Sequence, residues 1–142
     1  MAQRIQPDFL QAFDCKRGEC RRTCCRDWEV VLTAQELESA MSSEPGTDAH
    51  TLANASLIAN PCSSGEHNSS LAKMREDGFC ALLTEDRLCG WKVLGSDGLC
   101  ATCNDFPNIR ISFLDDQYIF PSLSCEAIVE LLLNRSEPVR IA

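Results

Sequence analysis

Ten cysteines in 142 residues constrain this chain more than any other feature, because Cys15, Cys20, Cys24 and Cys25 fall within eleven consecutive positions. A run that dense serves a packed core, a disulfide scaffold or a ligand set. Unpaired thiols are among the most buried side chains, but Lys16, Arg17, Glu19, Arg21, Arg22, Arg26 and Asp27 stand around these and are not core-strand residues. Cys24 and Cys25 are adjacent, and because neighbouring side chains diverge, a bridge between them would force unfavourable disulfide geometry. Metal ligation fits best: thiolates hold tetrahedral zinc and iron–sulfur clusters, and sulfurs a few residues apart converge from a turn. Arg4, Arg17, Arg21, Arg22 and Arg26 lie near the run, where positive charge would lower thiol pKa and favour the ligating form.

Length and composition set the frame for that reading. A chain of 142 residues suits one domain, and 44% hydrophobic with 24% charged residues is ordinary for a globular protein. Thirteen Lys+Arg against 21 Asp+Glu leave a net charge of -8. Such a balance offers no basic stripe for phosphates and argues against a nucleic-acid partner. The start, Met1 to Phe13, lacks the continuous apolar stretch of a secretory signal. The apolar stretch Ala127–Leu133 is interrupted by Glu130 and falls far short of a membrane span. No membrane partner is expected, and the expected compartment is the cytoplasm, where clustered cysteines serve metal binding or redox chemistry more often than disulfides.

Apolar spacing and capping residues predict mostly helices along the chain. Thr33-Ala34-Gln35-Glu36 has capping-box spacing and opens a helix that ends by Pro45-Gly46. Thr47 or Asp48 caps a second helix, stopped at Asn60-Pro61. The small polar stretch Cys62 to Ser70 reads as a loop. His50, on a helix surface, and His67, in that loop, read as solvated histidines rather than ligands. A helical turn from Leu88 to Leu94 ends at Gly95, and Ser96 caps a short helix carrying Cys100 and Cys103 before Pro107. Ile109 to Phe120 alternates around Asp115-Asp116 as a hairpin does. Ser124 caps a last helix with Ile128, Leu131 and Leu132 on its apolar stripe and Cys125 in its first turn. The fold class expected is mainly α with a small β-hairpin: one compact cysteine-rich metal-binding domain over residues 1–142.

The stretch from Phe13 to Leu32, FDCKRGECRRTCCRDWEVVL, resembles the opening of the flagellin lysine-N-methylase family, in which F-x-C-x4-C-x3-C-C-x2-W precedes an apolar strand. GFCALLTEDRLCGWKVLGSDGLCATCNDFPN is similar to the same family's second cysteine block, and Ser122-Leu123-Ser124-Cys125-Glu126 to its third. The blocks run in the family's order and cover Phe13 to about Leu133. Ala81 stands where the family has proline and Asn108 where it has arginine, and Ala127 follows Cys125-Glu126 without the usual intervening proline. The chain also resembles, more distantly, the CxxCxxCC group of zinc- or iron-chelating proteins.

The resemblance implies a metal site made by Cys15, Cys20, Cys24, Cys25, Cys80, Cys89, Cys103 and Cys125, holding an iron–sulfur cluster of the 4Fe–4S type or, alternatively, zinc. It also implies a bacterial enzyme that transfers methyl groups from S-adenosylmethionine to lysines of flagellin or another protein, or else a non-catalytic zinc- or iron-binding interaction module. Members of the family carry a long further segment after the equivalent of Leu133, so the chain is expected to correspond to the metal-binding half. Cys62 and Cys100 lie outside the family pattern and receive no role. Trp28, Trp91 and Phe106 flank ligand cysteines and are expected to pack over the metal.

Other chemistries find no signature. The sequence has no G-x-G-x-x-G turn, phosphate-binding loop, G-x-S-x-G elbow or H-E-x-x-H motif, and no residue is identified as a catalytic base. Cys100-Ala101-Thr102-Cys103 has C-x-x-C spacing without the β-α-β pattern that accompanies a thiol redox motif.

Overall fold

The computed structural model describes residues 2–42, 46–61, 69–94 and 100–142. In chain order the elements are β1 (Arg4–Ile5), β2 (Val31–Thr33), α1 (Ala34–Met41), α2 (Asp48–Ser56), β3 (Leu57–Ala59), β4 (Ser69–Ala72), α3 (Gly90–Val93), α4 (Ala101–Asp105), β5 (Asn108–Phe113), β6 (Asp116–Pro121) and α5 (Glu126–Leu133). Short 3-10 turns cover Asp8–Ala12 and Arg17–Glu19. The chain divides into two compact units, Met1–Cys24 with Asp105–Ala142, and Cys25–Asn104.

The discontinuous unit is built on the β5–β6 hairpin. Alternation from Ile109 to Phe120 is realised as an antiparallel pair in which Ile109 faces Phe120 and Ile111 faces Tyr118. β1 adds in parallel beside β6, giving the order β1-β6-β5. Ile119 and Ile128 are buried, one from the sheet and one from α5. The chain's ends are tied together here: Gln6 N–H donates to Ala142 C=O at 2.8 Å, and the Arg135 guanidinium reaches the Asp8 carboxylate at 3.1 Å. α5 begins one residue later than expected, with Cys125 at the N-cap rather than Ser124.

The continuous unit packs α1 and α2 with a second sheet. In β2 Leu32 is fully buried between exposed Val31 and Thr33, the period-two pattern of a strand with one solvated face. β4 lies at the centre of the sheet, antiparallel to β2 on one side and β3 on the other. The capping box at Thr33 forms: its hydroxyl accepts the Glu36 N–H at 3.2 Å, and the Glu36 carboxylate accepts the Thr33 N–H at 2.8 Å. Thr47 caps α2 through the His50 N–H at 3.3 Å. Val30, Leu32, Ala40, Ala53, Ala72, Leu82 and Trp91 form the core, and Cys80 and Cys100 are buried in it.

A mainly α fold with one hairpin is therefore overturned. The described residues hold two three-stranded sheets beside helices of at most nine residues, a mixed α/β composition. The run Trp28–Leu32 reads as a short strand and overlaps β2, but β3 and β4 escape sequence patterning because they are three or four residues long and pair only at long range. α2 stops at Ser56 rather than near Asn60, since Leu57–Ala59 leave the helix to pair with β4. Much of the expected loop Cys62–Ser70, with Cys62 and His67, and the cap at Ser96 lie outside the described residues; Ser69 and Ser70 open β4. No helix among the described residues is long and apolar enough to cross a membrane.

Leu32 sits with 0% exposure at the centre of its unit's core. Leu32→Ala is expected to lower the unfolding free energy by about 2–5 kcal/mol. Denaturant titration measures that loss as a shift in midpoint.

Candidate functional site

The division of the chain sorts the eight candidate cysteines into two groups of four. Cys15, Cys20, Cys24 and Cys125 belong to the discontinuous unit, and Cys25, Cys80, Cys89 and Cys103 to the continuous one, which also contains Cys100. The boundary falls between the adjacent Cys24 and Cys25. Among the described residues no two cysteines are joined as a disulfide.

In the continuous unit three of the cysteine-bearing segments are brought together by backbone pairing. Asp27 N–H donates to Gly78 C=O at 2.9 Å and Cys80 N–H to Cys25 C=O at 2.8 Å, which fastens Cys25 and Asp27 to the turn before Cys80. Gly78 makes that turn possible: its φ of +81° lies in the left-handed region, and a Cβ there would collide with the Asp27 carboxylate. A single bridge then pairs Leu83 with Cys89, and Gly90 N–H closes on Leu82 C=O at 2.7 Å, setting Cys89 at the N-cap of α3. Cys100 and Cys103 come from one helical turn, closed by Asn104 N–H on Cys100 C=O at 3.1 Å.

These thiols surround one another electrostatically. Cys80 is pushed up to about 11, first by burial and then by the neighbouring Cys25 and Cys89. Cys103 is pushed up by its hydrogen bond with the Cys100 thiol, by burial, and by Cys89 and Cys25. Cys100 moves down, because it accepts from the Cys103 thiol and from backbone N–H groups, which stabilise its thiolate. The Glu36 carboxylate, which completes the capping box, also accepts the Ala101 N–H at 2.7 Å. Trp91 is buried in this cluster and Trp28 packs at its edge, whereas Phe106 belongs to the other unit.

The other group is more open. Cys15 and Cys24 are exposed, and Cys20 and Cys125 half-buried. Cys20 is pushed up by burial, with Cys15, Glu126 and Cys125 adding repulsion and Lys16 opposing them. Beside them Lys16 Nζ bridges Glu126 and Glu130 at 2.8 Å each. Glu126, its carboxylate side chain only 11% exposed, also accepts the Arg22 N–H at 3.1 Å. Those bonds, led by Lys16, hold Glu126 at about 2. Sequence reading missed this clamp, whose one visible signal was a lysine inside the cysteine run.

Two expectations fail in this geometry. Among the described residues no group of three or more His, Cys, Asp or Glu is arranged to hold a metal ion, so the metal-binding character expected of the fold is overturned along with its helical class. The donor chemistry, four thiols in each unit, suits thiolate ligation, although among the described residues the sulfurs are not gathered around one point. The arginines of the N-terminal run also fail to depress Cys20, whose thiol is raised. Arg26 instead pairs with Asp27 at 2.8 Å and lies over the Phe79 ring at 4.7 Å. His50 is half-buried rather than solvated, and its Nδ1 is buried without a hydrogen-bond partner.

In comparisons with protein-family models, curated proteins and solved structures, nothing matches this chain.

Gly78→Ala is expected to cost about 1–2 kcal/mol for forcing a side chain into the left-handed region. It should also loosen the Cys25–Cys80 crossing. Alkylation of the folded protein, followed residue by residue by mass spectrometry, should show Cys25 and Cys80 reacting faster than in the parent.

Proposed function

We propose that this chain is an iron–sulfur-binding protein of the flagellin lysine-N-methylase type. The observation that supports it is the convergence of Cys25, Cys80, Cys89 and Cys103, four of the eight cysteines shared with that family, from four separate segments into one interior. Four cysteines from separate segments also give one interior the sulfur donors that a cluster or a zinc ion requires.

Cys25, Cys80, Cys89 and Cys103 would hold the group, with Cys15, Cys20, Cys24 and Cys125 as a second set of donors. A bound cluster supplies redox chemistry whose potential follows burial and hydrogen bonding of its sulfurs. Ligation requires the thiols to lose their protons, and part of the binding free energy goes into gathering and deprotonating them. Trp91 and Trp28 exclude water from the interior set. Methyl transfer from S-adenosylmethionine to lysine further needs a neutral amine, whose ordinary pKa is about 10.4; no step of that transfer is assigned to a residue here. A four-thiol set is also the donor complement of a structural zinc site, and a zinc-bound interaction module is the second reading.

Metal and acid-labile sulfide content of anaerobically purified protein, read with its visible spectrum, decides between them. Brown protein with iron and about equal sulfide is expected, and Cys80→Ala or Cys89→Ala should lose most of the iron. Zinc without sulfide supports the module, and protein that takes up neither metal overturns both readings. Incubation of the iron-loaded protein with labelled S-adenosylmethionine and flagellin then tests the methylase assignment, which fails if no label reaches lysine.

A further inference from the structure

β5 lies at the edge of its sheet: β6 pairs with one side of it, and among the described residues no strand pairs with the other. The ladder fixes which groups face that open side. Gln117 N–H donates to Gln3 C=O at 2.8 Å, away from β5, so Gln117 and its partner Ser112 form a pair without mutual hydrogen bonds. Antiparallel pairs alternate between bonded and non-bonded. Arg110 opposite Ile119 is therefore non-bonded too, and the N–H and C=O groups of Arg110 and Ser112 point out of the sheet. Native sheets blunt such edges with short strands, lysine, proline or a bulge. β1, at the opposite edge, has two residues; β5 has six, without lysine or proline, and its register with β6 is unbroken. Buried Ile119 marks the core face of the hairpin. On the other face Ile109, Ile111 and Phe113, 50–64% exposed, lie beside Tyr118 and Phe120 as an apolar surface.

We propose that a second copy of this chain covers this edge, the two β5 strands pairing antiparallel about a two-fold axis at Ile111. The strand is complementary to itself in that register. Arg110 of each copy meets Ser112 of the other, so the outward N–H and C=O groups of both residues are satisfied. Ile109 stands beside Phe113 of the second copy and Ile111 beside its own counterpart, apolar cross-strand pairs of the kind that stabilise sheets. A slip of one residue would set the apolar face of one copy against the polar face of the other. Centring the axis on Arg110 would place like charges opposite each other. Two copies with a net charge of -8 each repel, but β5 has no acidic residue, and Arg110, its one charge, is paired with Asp105 at 3.0 Å. The same edge is used on both copies, so the assembly closes at two. One strand pair covers less than the about 1,600 Å² of a standard interface, so the dimer forms at high protein concentration and dissociates on dilution. No cysteine takes part, which separates this proposal from the cluster and zinc readings.

The test is sedimentation of the full chain over a concentration series, with a thiol reductant present so that the exposed Cys15 and Cys24 cannot link copies. The mass is expected to rise with concentration from 15.7 kDa toward twice that value and no further. Ile111→Lys, which sets two ammonium groups against each other at the axis, should stay monomeric. Ser112→Pro removes one outward N–H, a change that an edge strand tolerates, and should also stay monomeric; circular dichroism checks that both variants keep the parent's fold. Amide hydrogen exchange reads the parent alone and serves where a variant does not fold. Arg110 and Ser112 N–H should exchange several-fold more slowly at high concentration than at low, whereas Ile109 and Ile111, already bonded to β6, should change less. The proposal is overturned if the parent stays at 15.7 kDa at every concentration, or if it grows beyond two copies. Association of a folded Ser112→Pro equal to the parent's, which points to packing of the apolar faces instead, overturns it too, as does association without slowing at Arg110 and Ser112.

Discussion

The hydrogen bond from Cys80 N–H to Cys25 C=O, 2.8 Å long, joins residues more than fifty positions apart, and the interior of the continuous unit depends on it. Closing so long a loop has an entropic cost that grows only slowly with length, so a few well-placed bonds suffice. Asp27 N–H on Gly78 C=O supports the crossing from one side, and the bridge between Met74 and Cys80 from the other. From there the chain advances by short reversals: Leu83 N–H returns to Cys80 C=O at 3.0 Å and Gly90 N–H to Leu82 C=O at 2.7 Å. Gly90 has little room for a side chain, since a Cβ would stand 3.0 Å from the Leu82 carbonyl oxygen. These reversals deliver Cys80, Cys89 and Trp91 to the same interior.

Burial then governs the chemistry of the thiols. A thiolate is penalised by desolvation, and for Cys80 this outweighs the lowering by Arg75, which is also paired with Asp77 and lies over the Phe79 ring. Cys80 is raised chiefly by burial and Cys103 by its bond with Cys100 and by burial, whereas Cys100 is lowered because it accepts from Cys103 and from backbone N–H groups. In the discontinuous unit the sulfurs meet solvent and the Lys16–Glu126–Glu130 cluster instead. Two environments thus await the same residue type: one dry and crowded, one wet and ionic.

Local features were legible where the signal was local. Thr33 and Glu36 are three residues apart and make their box as read; Thr47 caps α2; the alternation of Ile109, Ile111, Tyr118 and Phe120 makes a hairpin. The pairing of β2, β3 and β4 was hidden, because Ser-Ser-Leu-Ala carries no strand pattern and becomes a strand only between two partners. Ser124 and Cys125 were exchanged as caps because either residue can adopt the extended backbone that the N-cap requires, and neighbouring contacts choose between them. The Lys16 clamp on Glu126 and Glu130 spans more than a hundred positions and could not be read from either end.

The amino-acid order by itself determined which residues are sulfur donors, their grouping along the chain, and the caps and turns that act within a few residues, since those depend on spacing and side-chain type alone. Only the tertiary structure decided that the eight candidate cysteines fall four and four into two units, and that Cys25, Cys80, Cys89 and Cys103 share an interior without gathering around a point. The reason is physical: electrostatic environment and contact are set by long-range backbone pairing and burial, and neither is encoded in any short window of sequence.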